Sequence, residues 1–147
     1  MADTSRIKTE IEPVVRKWLS KYCGNTILEE RSVTLPSGGN YRFDAVSQTG
    51  LIIGSILCNR AKTRTGRENT GGVRKALAEI EHMKLLPKNV RKLMVFTDTQ
   101  FCELIRRRAT RFGIEGIEML VCNLPPDKEL ILNQVLENAS REQRAAE

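Results

Sequence analysis

The chain has 147 residues, 40% hydrophobic and 29% charged, which suits one globular domain with a real core and leaves no apolar run near the ~20 residues of a membrane span. A formal net charge of +6 invites a polyanionic partner. Four scattered cysteines, without a Cys-x-x-Cys pair and with a single histidine, argue against a structural zinc site. Cys58 and Cys122 fall inside apolar strand patterns, as buried free thiols do, and the first five residues lack a signal-peptide apolar region. A reducing, cytoplasmic setting is the expectation.

Residues 5–22 read as an amphipathic helix, with Ile7, Ile11, Val14, Val15, Trp18 and Leu19 at helical spacing. Pro13 must either start or kink it, and Gly24 ends it. Residues 26–35 form a first strand, closed by the turn at Pro36-Ser-Gly-Gly39. Residues 41–47 form a second strand carrying Asp44, and Gln48-Thr-Gly50 turns it into a third strand, residues 51–59. In that strand Ile53, Ser55, Leu57 and Asn59 share one face, and Ile52, Gly54, Ile56 and Cys58 the other. Both faces are mostly apolar, so this strand is central and covered on both sides.

Residues 60–72 read as a loop, rich in glycine and without apolar periodicity. Between Cys58 and Lys75 there are six cations, Arg60, Lys62, Arg64, Arg67, Arg74 and Lys75, against Glu68 alone. The loop ends in Asn69-Thr-Gly-Gly72, a reasonable helix cap, and basic side chains before a helix N-terminus suit phosphate. A Walker loop is excluded because the Gly-Lys-Ser/Thr spacing is missing. A helix over 73–86 follows, with Val73, Ala76, Leu77, Ile80 and Met83 inward and Lys75, Glu79 and His82 as a polar stripe. A surface or half-buried role is the plainer reading of His82. Then come a strand over 91–98, a helix over 100–112, a strand over 117–123 and a helix from Asp127 through Leu136. The polar tail, residues 140–147, is expected to fray. Two further basic clusters, Lys88, Arg91 and Lys92, and Arg106, Arg107, Arg108 and Arg111, read equally well as solvated surface.

The element order is therefore α-β-β-β-α-β-α-β-α, a mixed sheet with helices on both faces, in one domain. Residues 5–98, with Asp44 on a hairpin strand, resemble the PD-(D/E)XK nuclease superfamily, the restriction-endonuclease-like fold. The remaining strand and helix form a C-terminal extension. The resemblance implies a divalent-metal site built from the strand Asp and from an acid-x-Lys triplet on the next strand. The first helix often adds a Glu, which makes Glu10 or Glu12 a candidate. Asp44 takes the Asp position. Aligned through Arg60-Ala-Lys-Thr63, the acid position is Ser55 and the Lys position is Leu57.

Metal-assisted phosphodiester hydrolysis needs two or more carboxylates and a group that positions water. Asp44 supplies one carboxylate, a weak metal ligand by itself, and Leu57 positions nothing. The expected function is a nucleic-acid-binding domain, DNA in the first instance, on a catalytically degenerate nuclease-like fold, with Arg60, Lys62, Arg64, Arg67, Arg74 and Lys75 on the phosphates and no cofactor. Two other readings stand beside it. One is an active Mg²⁺-dependent endonuclease whose relocated residues come from Glu10, Glu12, Lys75 and Glu79. The other is a structural or assembly subunit, in a homodimer or with a partner subunit, whose basic loop meets water or an acidic protein.

Overall fold

The structure, a computed structural model, describes residues 5–145, with side chains through residue 139. The nine expected elements occur in the expected order: α1 (Glu12–Tyr22), β1 (Leu28–Thr34), β2 (Asn40–Ser47), β3 (Ile52–Leu57), α2 (Thr70–Lys84), β4 (Arg91–Phe96), α3 (Thr99–Thr110), β5 (Ile117–Val121) and α4 (Pro126–Ala145). The five strands form one mixed sheet in the order β1-β2-β3-β4-β5. β1, β2 and β3 are antiparallel neighbours, while β3, β4 and β5 run parallel. Parallel pairing needs a crossover between strands, which α2 and α3 provide.

The layers follow from side-chain alternation along the central strands. Ile53, Leu57, Met94 and Phe96 face α2 and α3, where they join Val73, Ile80, Phe101 and Ile105. Ile56, Leu93 and Val95 face the other way and join Val15 and Leu19 of α1 and Leu132 of α4. Gly54 has a packing role on this second face: a Cβ there would lie 3.0 Å from Leu19 Cδ2.

Three boundaries differ from the sequence expectation. The first helix is not continuous over 5–22. A π-helical turn, Ile7–Ile11, precedes α1, and Pro13 sits in the first turn of α1, where its missing N–H costs nothing. α2 starts at Thr70, not Val73, because Asn69 caps it: Oδ1 accepts from Gly72 N at 3.0 Å. α4 runs from Pro126 to Ala145, longer than the expected helix from Asp127 through Leu136; residues 146–147 lie outside the described residues. No helix among the described residues is long and apolar enough to cross a membrane.

The parallel sheet brings the N-termini of α2, α3 and α4 to one edge, beyond the carboxyl ends of β3, β4 and β5. Residues 58–69 occupy the same edge. They form a small hairpin, not the open loop expected: Lys62 and Glu68 make an antiparallel bridge, Thr63 N donates to Arg67 O at 2.7 Å, and Gly66, at φ 83°, closes the turn by donating to Thr63 O at 2.9 Å. Asn69 also anchors this hairpin, since Nδ2 donates to Arg60 O at 3.1 Å. We expect Asn69→Ala to lower stability by about 1 kcal/mol, or roughly 3 °C in Tm. Thermal denaturation checks this, and an unchanged Tm would show that the cap is dispensable.

Candidate functional site

The site is assembled where β2 and β3 part. Their ladder pairs Ala45 with Gly54 and Val46 with Ile53, then stops. Beyond that point Ile56 N–H has no strand partner, and Asp44 Oδ2 accepts from it at 2.7 Å. Asp44 is free to do this because β2 bulges. Phe43 pairs with Arg31 and Val46 with Glu29, so Asp44 and Ala45 together face Glu30. A bulge of this kind bends the strand and re-aims a side chain.

Two more carboxylates converge on Asp44. Glu12, in the first turn of α1, and Glu30, on β1, each place a carboxylate oxygen so that the three lie within 4.8 Å of one another. Glu12 is 7% exposed and its Oε1 has no hydrogen-bond partner. Lys8 Nζ at 3.9 Å and Arg16 Nη2 at 4.0 Å are its nearest cations. Glu30 accepts from Arg42 Nε and, at 3.4 Å, from Lys8 Nζ. Burial, and then the neighbouring Asp44 charge, pushes Glu12 above the ordinary carboxylate range. Burial also raises Asp44, the Ile56 N–H opposes that rise, and Glu79 adds to it. Glu30 is held low, chiefly by the hydrogen bond from Arg42.

The donor set is chemically suited to the Mg²⁺ that the nuclease resemblance implies: three carboxylates from three elements, one with an unsatisfied buried oxygen. Glu12, Glu30 and Asp44 are the residues that would hold it, and it would supply Lewis-acid polarisation of a phosphate oxygen. Glu10 does not join them. It pairs with Arg6 one turn earlier, at 2.5 Å, which lowers it.

The two degenerate positions on β3 are both buried, at 1% exposure, on the α2 side of the sheet. Leu57 packs into the apolar core and leaves nothing polar at the Lys position. Ser55 is different. Its Oγ donates to Glu79 Oε2 of α2 at 2.8 Å, and the Tyr41 hydroxyl donates to Glu79 Oε1. Glu79 thus brings a carboxylate to the position where β3 lacks one. Lys75, one turn earlier on α2, is exposed, and its charge favours the ionised form of Asp44. His82 stacks on the Tyr41 ring at 3.7 Å between centroids and points Nδ1 at Ala78 O, so it is half-buried packing, as the plainer reading had it.

The cations divide by role. Arg60 is half-buried and tied to α4, donating to Glu129 Oε1 at 2.8 Å and to Asn133 Oδ1 at 2.6 Å, with Asp98, the α3 cap, 3.8 Å away. It joins the end of β3 to the starts of α3 and α4. Lys62, Arg67, Arg74 and Lys75 are exposed and form no ion pair among the described residues, and Arg64 has only Glu137 at 3.9 Å. Arg91 is paired with Glu118 and covers Tyr22, and Lys92 is buried against the carbonyls of Pro87 and Val90, which leaves Lys88 as the remaining member of that cluster.

The chain matches no protein-family model, no curated protein and no solved structure. The site therefore rests on its own geometry. Glu30 and Lys8 were not singled out from sequence. The adjacent pair Glu29-Glu30 conceals which acid faces α1, and only the bulge sets one of them across from Asp44.

Glu12 and Asp44 keep their protons to higher pH in the folded chain than in the unfolded one. Stability from these groups is therefore greatest at low pH and is lost as pH rises through the raised carboxylate range. Glu12→Gln should be more stable than the parent at pH 7, with the difference vanishing towards pH 3, in urea denaturation at each pH. A variant less stable at pH 7 would mean that the Lys8 and Arg16 pairings outweigh burial.

Proposed function

We propose that this protein is a nucleic-acid-binding domain on a PD-(D/E)XK-like fold, with DNA as the expected partner and without efficient catalysis of its own. The observation that carries this reading is the basic hairpin at the carboxyl edge of β3. Lys62 and Arg64 border a groove of about 660 Å³ whose floor includes Gly71 and Gly72 in the first turn of α2. The positive end of the helix dipole favours an anion there. In parallel sheets this is also the edge where ligands sit. Leu57 supports the second half of the proposal, since no cation stands at the Lys position.

A second reading, a metal-dependent nuclease with relocated residues, is favoured by one contact, Ser55 Oγ to Glu79 Oε2. In that reading Asp44, Glu12 and Glu30 hold Mg²⁺, Glu79 supplies the acid that β3 lacks at Ser55, and Lys75 faces the phosphate. Incubation of duplex DNA with the protein and Mg²⁺ or Mn²⁺ separates the two. We expect no cleavage above background; cleavage that disappears in both Asp44→Asn and Glu79→Gln would establish the second.

For binding, the triple variant Lys62→Ala, Arg64→Ala, Arg67→Ala should weaken duplex affinity and flatten the slope of log affinity against log salt by about 2 to 3, at roughly 0.9 for each phosphate no longer neutralised. Arg60→Ala should lower thermal stability instead, by about 1 kcal/mol for the removal of partly exposed charged hydrogen bonds, and leave the salt slope unchanged. A triple variant that binds with the parent's affinity and slope would remove the hairpin from the interface.

A further inference from the structure

Residues 62–68 form a minimal two-stranded ribbon, one antiparallel bridge closed by a turn, and that ribbon stands between two troughs lined by cations. One trough is the groove beside α2 and α4, bordered by Arg64. The other runs between the hairpin and α3 as two adjoining hollows of about 330 and 390 Å³, which share Glu68, Leu104 and Arg107. Arg107, Arg108 and Arg111 line it. Lys62 borders both troughs, so the ribbon is the ridge that separates them. The sequence places the hairpin cations and the α3 arginines about forty residues apart; the Glu68–Arg108 ion pair joins them into one surface. Arg107 and Arg111 are exposed and form no ion pair among the described residues.

We infer that the ligand of this surface is a double-stranded nucleic acid, with the 62–68 ribbon in its major groove and one phosphate strand in each trough. This rests on the nucleic-acid-binding reading above. The major groove of B-form DNA, about 12 Å wide, admits a two-stranded β-ribbon, and its two walls are rows of phosphate. A ridge with cations on both flanks matches two anionic rails separated by a gap. A single strand offers one rail and engages one trough. Phosphate contacts position such a complex without reading bases, so base preference should be weak.

Among the described residues three acids interrupt this surface: Glu103 lines the α3 trough, Glu137 stands 3.9 Å from Arg64 in the other, and Glu68 lies between the ridge and α3. The pairing of Glu68 with Arg108 fastens the ribbon but sets a negative charge beside the phosphate path. Glu68→Gln keeps a hydrogen-bond acceptor for Arg108 and removes that charge. It should tighten duplex binding by about threefold at low salt, the effect of one charge a few ångströms from a phosphate in high-dielectric surroundings.

The test uses the full chain and a mixed-sequence 20-base-pair duplex, with one of its strands as the single-stranded probe, titrated by fluorescence anisotropy over a range of salt. Arg107→Ala with Arg111→Ala should reduce the duplex slope by about 2, Arg64→Ala by about 1, and the three together by about 3, at roughly 0.9 per phosphate. On the single strand the combined variant should lose no more than the larger of the two separate losses. Thermal melts should be unchanged, since exposed arginines contribute little to stability. The inference is overturned if the parent binds duplex and the Arg107, Arg111 variant binds it equally with the same slope, or if both troughs contribute additively on a single strand. It is also overturned if Glu68→Gln weakens binding while its melt is unchanged. If the parent binds neither probe, the nucleic-acid reading itself fails and an acidic protein is the better partner; that result is distinct from the others because no variant is needed to see it.

Discussion

The constraint that shapes this molecule is the burial of β3 on both faces. From Ile53 to Cys58 every residue of this stretch is buried, with α1 and α4 packed on one side and α2 and α3 on the other. A strand in that position can carry an ionised side chain only where a metal or a partner compensates it, since an unpaired buried charge costs several kcal/mol. Leu57 and Ser55 meet this constraint by being apolar and neutral. The three carboxylates that gather beside β3 come instead from elements around the strand, Asp44 from the bulged neighbour, Glu12 from α1 and Glu30 from β1, while Glu79 of α2 meets Ser55. Asp44 meets β3 where the β2–β3 ladder opens, by accepting from Ile56 N–H, and Glu12 and Glu30 gather around it.

Charge is segregated along the molecule in a way the overall balance hides. Acids gather at the splay of β2 and β3, where burial holds two of them above their usual range. Exposed cations gather on the 62–68 ribbon, at the start of α2 and on α3. Between them stands Arg60, whose hydrogen bonds to Glu129 and Asn133 and proximity to Asp98 fix the carboxyl edge of the sheet. The parallel half of the sheet makes this arrangement possible, because it delivers three helix N-termini to that edge. Exposed ammonium and guanidinium groups line this edge, while Asn69 and Asp98 cap the starts of α2 and α3 and Asp127 and Glu129 stand in the first turn of α4.

The fold was legible because it rests on periodicity. Two-residue alternation at Ile52 to Cys58 and helical spacing at Val73 to Met83 each report which atoms must leave water, and the two central faces read from β3 are the two cores observed. The boundaries that slipped were set by single hydrogen bonds. Asn69 starts α2 three residues early through its bond from Gly72 N, and a π-helical turn absorbs the break ahead of Pro13. The hairpin at 62–68 was read as open loop because its ladder holds through backbone groups and a glycine at positive φ, with no apolar pattern to announce it.

What the sequence determined by itself is the order of elements, the two-sided core around β3, Asp44 as the strand acid and the concentration of cations after Asn59. These depend on neighbours in the chain and on which side chains avoid water. The tertiary structure decided the rest. Glu12 rather than Glu10 reaches Asp44, because α1 begins afresh after the π-turn. Glu30 joins them only through the bulge that lets two residues of β2 face one of β1. Glu79 meets Ser55, and Arg60 meets α4. Arg108 meets Glu68 across forty residues. Such pairings depend on distances through space between segments remote in sequence, and a linear pattern of residue types does not encode those distances.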